Sequence, residues 1–246
     1  MMDKMLFLPT SMNFVAFNRN YYGTSTAYNG ISHTFPTGYS VSIKHTKLKK
    51  FSLNSTITEP IILVELTPIG FKMLFDEDAS ILRKGYYKIS NKTIEKYFSK
   101  LYKHEAIEDE IKYLNNSFFN MLTVNKSHVN NLNIEHILYS IEHKHRFEVS
   151  VMDLVKEFNC SRSTLEREFN KFVGFSPKVY ITRNKICHTF LEFINNDFKL
   201  NEIEYLYNNY SHINLMFHTI LGASPKIFAQ DLKHNNLKIY QLQVIS

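Results

Sequence analysis

Cysteine is scarce in this chain of 246 residues, which contains only Cys160 and Cys187. Two cysteines cannot build the disulfide framework that supports small secreted domains, so that class is excluded. The first eight residues are too short and too mixed in polarity for a secretory signal peptide. The sequence therefore predicts a reduced, cytoplasmic protein. Cys160 precedes a predicted helix, where a thiolate is stabilised; the alternative role is that of a small apolar turn residue.

Long apolar runs and cofactor motifs are also absent. No apolar stretch approaches the roughly 18 residues that indicate a membrane-spanning helix, so no membrane partner is predicted. The sequence contains no phosphate-binding loop, dinucleotide-binding fingerprint or zinc-binding helix motif. His143 and His145 lie two residues apart without a further ligand, and such a pair does not make a metal site. We therefore expect neither a metal nor a cofactor.

The composition favours two domains and a polyanionic partner. Apolar residues make up 44% of the chain, enough for two cores, and the length fits two domains. The formal net charge is +6 and the isoelectric point is near 9.1. Cationic side chains that neutralise phosphates release condensed counterions, which favours binding to nucleic acid. This charge is mild, however, and many basic proteins bind no nucleic acid.

Residues 149–180 have the pattern of two short helices joined by a tight turn. Apolar residues at helical spacing precede a break at Asn159. The hydroxyl of Ser161 can accept a backbone N–H at the start of the next helix, so Ser161 is the predicted N-cap. Gly174 suits the left-handed position that ends a helix. Pro177 suits the first position of the following helix, where no hydrogen bond is lost.

The second of these helices presents two different faces. Leu165, Phe169 and Phe172 recur at i, i+4 and i+7 and form one apolar stripe. The opposite face carries short polar, acidic and cationic side chains: Ser163, Glu166, Arg167 and Asn170, with Lys171 beside them. Arginine can donate two hydrogen bonds to guanine, and glutamate can accept one from cytosine, so this face suits a major groove. An ordinary solvated face on a helical hairpin has the same periodicity.

The run L-V-x-x-F-x-C-S-R-S-T-L-E-R-E-F-x-x-x-x-G-F-S-P-K-x-Y, residues 154–180, resembles the first helix-turn-helix of the AraC/XylS family of bacterial transcription regulators. The spacing from Ser161 to Gly174 and Pro177 fits that pattern without a gap. The family's DNA-binding domain contains two helix-turn-helix units joined by one long helix, and the units read successive major grooves. The resemblance places this domain at residues 131–232, with the long helix at 177–195.

A second unit follows at residues 200–228. The tripeptide Ser211-His212-Ile213 is followed by Phe217, Gly222 and Ser224-Pro225, which matches the family's pattern except that Ile213 replaces phenylalanine. In the upstream turn, Leu206-Tyr207 stands where the family has Gly-Phe. Leu215 stands where a DNA-contacting arginine is common. We therefore expect the first unit to supply most of the sequence specificity.

The resemblance assigns two sets of DNA-binding residues, on recognition helices at about 161–172 and 211–221. The base-reading candidates are Ser163, Glu166, Arg167, Asn170, Tyr210, Ser211 and Asn214. The phosphate-binding candidates are Arg162, Lys171, Lys178, His218 and Lys226. Lys178 and Lys226 follow the two Ser-Pro helix starts, and helix N-termini with nearby cations bind phosphates. Ordinary surface lysines are the alternative interpretation.

The N-terminal half, residues 1–130, is predicted to be mostly β up to residue 66 and helical from residue 93. Residues 64–75, V-E-L-T-P-I-G-F-K-M-L-F, are similar to the strand–Pro-x-Gly–helix core of the N-terminal sensor or dimerisation domain in one group of AraC-like regulators. Such domains often form a cupin-like barrel; because few strands are evident here, we expect at most a reduced one. The predicted fold class is α+β, a small mostly-β domain followed by an all-α double helix-turn-helix domain.

Two other features of this half have competing interpretations. The aromatic residues Tyr22, Phe35 and Tyr39 can line a small-molecule pocket, or they can be core and edge packing. The acidic run 76–78 offers carboxylates for acid–base chemistry, although exposed charge runs are usually solvated loops. Residues 233–246 form a C-terminal tail in which Ile239 and its neighbours favour either a short strand or no fixed structure.

The sequence thus predicts a sequence-specific DNA-binding transcription regulator, an activator as is common in the family, with double-stranded DNA and RNA polymerase as partners. A small-molecule effector and a homodimer are left open. The alternative is a constitutive DNA-binding protein whose N-terminal half is a protein-interaction module without a small-molecule ligand. An enzyme is not expected, because DNA-alkylation repair proteins that carry an AraC-like unit need a cysteine cluster that two cysteines cannot supply.

Overall fold

The computed structural model describes residues 4–7, 13–18, 23–27, 32–35, 38–43, 49–52, 62–84, 86–125, 132–201, 210–221, 223–234 and 238–239. Tyr22, Leu206-Tyr207 and Gly222 lie outside these residues. Phe35 and Tyr39 are described for their backbone alone, so the aromatic-pocket hypothesis stays a prediction. Within the described ranges, each helix is too short or too polar to cross a membrane.

Strands from the N-terminal half form two sheets within the described residues. The strands are β1 (Lys4–Phe7), β2 (Asn13–Asn18), β3 (Gly23–Ala27), β4 (Ser32–Phe35), β5 (Gly38–Ile43), β6 (Lys49–Ser52), β7 (Ile62–Leu66), β8 (Tyr86–Lys88) and, from the C-terminal tail, β9 (Lys238–Ile239). One sheet has the order β4-β3-β6-β1-β9 and the other β7-β2-β5-β8. All pairings are antiparallel except that of β9 with β1.

The expectation of few strands was wrong. The sequence indicated the apolar strands, including β2, in which Val15 and Phe17 are fully buried. It gave no sign of β3, whose sequence Gly-Thr-Ser-Thr-Ala lacks the large apolar residues on which strand prediction depends. Strand β3 is nevertheless paired on both sides, with β4 and β6. A polar strand with two hydrogen-bonded neighbours is stabilised by its partners rather than by its own composition.

Among the described residues of the N-terminal half, four helical segments follow β7, and β8 lies between the second and the third. They are α1 (Gly70–Phe75), a 3₁₀ helix (Ala79–Lys84), α2 (Asn91–Tyr97) and α3 (Ile107–Val124). As the resemblance implied, residues 64–75 form a strand that leads into a helix. Glycine suits this junction, because a Cβ atom at Gly70 would lie 3.0 Å from the Cβ of Leu66, which is closer than most Cβ contacts. Helix α3 lies in the stretch that was predicted to be helical from residue 93, and its Ile111 is 51% exposed.

The C-terminal part is helical, as predicted. Its helices are α4 (Ile134–Tyr139), which continues into a π-helical turn (Ser140–Lys144), then α5 (Val151–Glu157), α6 (Arg162–Phe172), α7 (Pro177–Asn195), α8 (Tyr210–Leu221) and α9 (Pro225–His234). Helix α6 begins and ends within a residue of the positions that its caps predicted, and α7 begins at the predicted Pro177 and covers the span 177–195 that the resemblance implied. The α+β class, a β-containing N-terminal part followed by helices, therefore describes the fold.

The buried residues form two separate cores. The first core extends from Val15 in β2 to Ile181 in α7, so it includes both the N-terminal half and the first helical unit. The second core consists of Cys187, Phe190, Phe193, Ile213, Met216, Phe217, Ala223 and Phe228. The break between the cores lies inside α7. A domain boundary near residue 130 stays a prediction, and apolar packing is continuous across that position.

Candidate nucleic-acid interface

The first helical unit is built by local hydrogen bonds. Ser150 caps α5 and forms a reciprocal pair with Asp153. After α5, Asn159 adopts a left-handed conformation (φ 44°), which turns the chain. The Oγ atom of Ser161 then accepts the backbone N–H of Thr164 at 3.1 Å and starts α6. The two helices are therefore joined by the tight turn that the sequence predicted.

Helix α6 is fixed by its inner face and by its end. Leu165, Phe169 and Phe172 are at most 2% exposed and belong to the first core. Gly174 has a φ of 88°, and its N–H donates to the carbonyl oxygen of Phe169 at 3.1 Å. Ser176 caps the next helix, with Pro177 at its first position. The orientation of α6 thus follows from the burial of one complete face.

The opposite face of α6 brings the predicted base-reading residues together. Ser163 and Arg167 are exposed, and Glu166 and Asn170 are half-buried. Nε of Arg162 donates to Glu166 at 2.9 Å, and Nε of Arg167 donates to Glu168 at 3.2 Å. The Arg162–Glu166 pair is exposed and contributes about 0–1 kcal/mol, so exchanging it for contacts with DNA costs little. In the second pair the Arg167 guanidinium is exposed while the Glu168 carboxylate is buried, so Arg167 can reach a ligand from the surface but is held by a buried acceptor.

Asn170 differs from its neighbours, because its side chain binds a residue of the N-terminal half. The guanidinium of Arg83 donates to Asn170 Oδ1 through Nη2, and to the carbonyl oxygen of Gly174 through Nε at 2.7 Å. Sequence reasoning missed Arg83. Its contacts span 87 and 91 residues of chain, and no local pattern around residue 83 indicates them.

The phosphate candidates lie at the surface near helix ends. Arg162, Lys178, His218 and Lys226 are exposed, and Lys171 is half-buried with its ammonium group 5.3 Å from the centre of the Phe172 ring. Lys178 and Lys226 are the second residues of α7 and α9, in the first turn of each helix. This placement is compatible with phosphate binding and equally with a solvated surface.

The second unit presents a weaker set of polar groups. Ile213, Met216 and Phe217 of α8 face the second core. Tyr210 and Ser211 are exposed, and Asn214 is half-buried. Leu215, which stands where Arg167 stands in α6, is 67% exposed. The outer face of α8 therefore carries an apolar side chain where α6 carries a guanidinium.

A basic cluster of two residues, Lys144 and His145, precedes α5 and binds Glu157 of the same chain. Nε2 of His145 lies 2.7 Å from Glu157 Oε2, while Nζ of Lys144 and Oγ of Ser140 lie 3.0 and 2.8 Å from Oε1. These hydrogen bonds lower the pKa of Glu157 from 4.5 to about 2. The cluster therefore joins the end of the first helix of the unit to α5, a role that the sequence did not indicate.

Two other groups of the first unit differ from ordinary surface residues. Arg183 is buried, has no hydrogen-bond partner among the residues that the structure describes, and lies with its guanidinium carbon 4.3 Å from the centre of the Phe175 ring. Burial lowers its pKa to about 10.

Burial raises the pKa of the Cys160 thiol, which opposes the reactive thiolate that a redox sensor needs. Across the described ranges, no cluster of three or more metal-ligating side chains occurs.

Comparisons with known proteins give a weak structural likeness. No family model and no curated protein matches the chain. Solved structures of ToxT from Vibrio cholerae, an AraC/XylS-family regulator, are similar to it over most of their length. ToxT itself is 14% identical with a TM-score of 0.46 over 95% of both chains. ToxT with a bound unsaturated fatty acid is 15% identical with a TM-score of 0.45, over 93% of this chain and 94% of that one. At these values the likeness carries no argument, so the assignment of function depends on the chain's own residues.

The pH dependence of stability tests the Glu157 network. A carboxylate whose pKa is lower in the folded state contributes stability above its unfolded pKa, and that contribution is lost as the pH falls. Here it is present above pH 4.5 and disappears as the pH approaches 2. We expect Glu157→Gln to lower the free energy of unfolding at pH 7 by about 1 kcal/mol or less, because the pair is partly screened by solvent.

Urea denaturation at pH 7, 5 and 3.5 measures this difference, which should shrink at the lowest pH. The exposed Glu95, on α2, provides the control substitution Glu95→Gln, for which no such change is expected. An equal difference between wild type and Glu157→Gln at all three pH values contradicts the network's role.

Proposed function

We propose that the chain is a DNA-binding transcription regulator that places α6 and α8 in successive major grooves on one face of a duplex. The observation that carries the proposal is the outer face of α6. Ser163, Glu166 and Arg167 share it and point away from a fully buried inner face. The resemblance of residues 154–180 to the AraC/XylS family supports the same function. The geometry of the first helical unit therefore suits binding in a DNA groove rather than catalysis.

Direct base readout follows from the chemistry of these groups. The guanidinium of Arg167 can donate two hydrogen bonds to O6 and N7 of guanine, and Glu166 can accept from N4 of cytosine. Each good contact discriminates against a wrong base by about 1–3 kcal/mol. Lys178 and Lys226 at helix N-termini would bind phosphates and fix the register without reading sequence. In this proposal α8, with Leu215 outermost, contributes less discrimination.

The proposal also includes the location of the protein in the cell and the partners on which it acts. We place the protein in the cytoplasm, as an activator that acts on RNA polymerase at the DNA site. The N-terminal half would sense an effector or mediate dimerisation.

A specific observation favours dimerisation: helix α3 exposes large apolar side chains along one side, namely Ile107 (59%), Ile111 (51%), Phe119 (66%) and Leu122 (40%). Several exposed large apolar side chains on one side of a helix are typical of an interaction site.

The substitution Arg167→Ala tests whether the first helix-turn-helix unit supplies most of the sequence discrimination. We expect it to reduce the ratio of specific to non-specific DNA affinity by about tenfold or more, since one bidentate contact is lost. Asn214→Ala should reduce this ratio less. Fragments selected from genomic DNA supply the specific site, and fluorescence anisotropy at one fixed salt concentration supplies the affinities.

Lys92→Ala, which removes the same charge from exposed α2, is the control and should leave this ratio unchanged. A larger loss of discrimination in Asn214→Ala than in Arg167→Ala contradicts the proposed dominance of the first unit.

Sedimentation velocity tests the proposed dimer. Ile111→Glu places a charge in the exposed apolar side of α3, so we expect a dimer of the wild type to become a monomer at micromolar concentration. Asn116→Glu adds the same charge to an exposed position on a different side of α3 and should leave the dimer intact. A wild type that sediments as a monomer, or an Ile111→Glu variant that stays dimeric, refutes this interface.

A further inference from the structure

The recognition helix is bound at its carboxyl end by an arginine from the N-terminal half. Arg83 donates through Nε to the carbonyl oxygen of Gly174 at 2.7 Å and through Nη2 to Oδ1 of Asn170. Asn170 lies on the same side of α6 as Ser163, Glu166 and Arg167, because residues spaced by three, four and seven share a helix face. One guanidinium therefore contacts both the end of the helix and its proposed reading face.

Arg83 is presented from a fixed position. It belongs to the 3₁₀ helix Ala79–Lys84, which lies against β5, β8 and α6. Ala79 and Leu82 of that segment are at most 1% exposed and belong to the first core. The same core contains Leu165 and Phe169 of α6. The backbone that carries Arg83 and the helix that it contacts are therefore parts of one packed unit.

The chemistry of the contact determines how Asn170 is presented. A guanidinium only donates hydrogen bonds, so it selects the amide oxygen of Asn170 and not the nitrogen. This removes the freedom of the amide to exchange its oxygen and nitrogen by rotation. The bond to Gly174 satisfies the carbonyl oxygen of the residue that follows the C-cap of α6, and a cation near that end of the helix is also favoured by the helix dipole. Arg83 thus restrains one side chain and the adjacent helix end together.

We infer that Arg83 is a positioning residue of the DNA-reading surface, through which the N-terminal half sets the base preference at the position that Asn170 faces. This inference rests on the proposed function. Arg83 acts through Asn170 and not by contact with a base. A shift of the 3₁₀ helix in the N-terminal half would alter the Arg83–Asn170 hydrogen bond and so reach base readout.

A double-mutant cycle with the full-length chain tests the inference. Discrimination is measured as the affinity ratio between the selected DNA site and single-base variants of it. We expect Arg83→Ala to lower this ratio about fivefold at one base pair and to leave the other positions nearly unchanged. In the Asn170→Ala background, the same substitution should change the ratio less than twofold, because the residue on which Arg83 acts is absent.

Two further variants separate positioning from charge. Arg83→Lys keeps the charge but cannot bind two acceptors in the fixed geometry of a guanidinium, so we expect it to lose most of the discrimination. Lys88→Ala removes one charge from the exposed surface of β8 and should leave discrimination unchanged. Thermal unfolding of each variant identifies any that do not fold; because Arg83 is exposed, Arg83→Lys should unfold near the wild-type temperature.

Specific outcomes overturn the inference. An equal effect of Arg83→Ala in both backgrounds, wild-type behaviour of Arg83→Lys, or tighter binding by Arg83→Ala each refutes positioning through Asn170. Uniform weakening on all sequences with a smaller salt dependence indicates a phosphate contact instead and also refutes it. A wild type that discriminates no sequence refutes the proposed function itself, which distinguishes that failure from failure of the Arg83 inference alone.

Discussion

The edge-to-face contact between Phe169 and Tyr180 holds the first helical unit together. The ring centres lie 6.0 Å apart at an interplanar angle of 68°, and both side chains have no exposed surface. Phe169 belongs to α6 and Tyr180 to α7, so this contact fixes one helix against the other. The hydroxyl of Tyr180 also donates to Glu142, and burial raises its pKa well above the usual value. Because α6 is held from this side, its other face is directed outward.

Helix α7 gives the two units a common support. Its first turns belong to the first core and its last turns to the second. A helix of 19 residues is about 28 Å long, which is similar to the roughly 34 Å of one turn of DNA. Arg183 is buried in α7 between the last residue of the first core and the first residue of the second, with its guanidinium over the Phe175 ring. One continuous helix can therefore set the spacing of the two recognition helices.

The sequence predicted the features that depend on neighbouring residues. The caps at Ser161, Gly174 and Pro177 are decided by local backbone geometry, and they defined α6 and α7 almost to the residue. Strand β3 could not be predicted, because its pairing with β4 and β6 is non-local. The bond between Arg83 and Asn170 depends on how the two halves pack, which periodicity does not contain.

The same limit applies to the chemistry of the candidate interface. The amphipathic pattern of α6 predicted which residues face outward. It did not show that Lys144 and His145 bind Glu157. It also did not show that Ile111 of α3 lies in an exposed apolar surface. The role of Lys144 and His145 is decided by a partner that is distant in sequence. The role of Ile111 is decided by the position of its side chain outside the core.

The account rests on α6 entering a major groove, and chemical footprinting on a selected DNA fragment tests this most directly. Dimethyl sulfate methylates N7 of guanine in the major groove and N3 of adenine in the minor groove, so protection identifies the groove that is occupied. The account predicts N7 protection in two patches on one face of the duplex, about 10 base pairs apart. Protection confined to adenine N3, or no N7 protection on a fragment that the protein binds selectively, would contradict it.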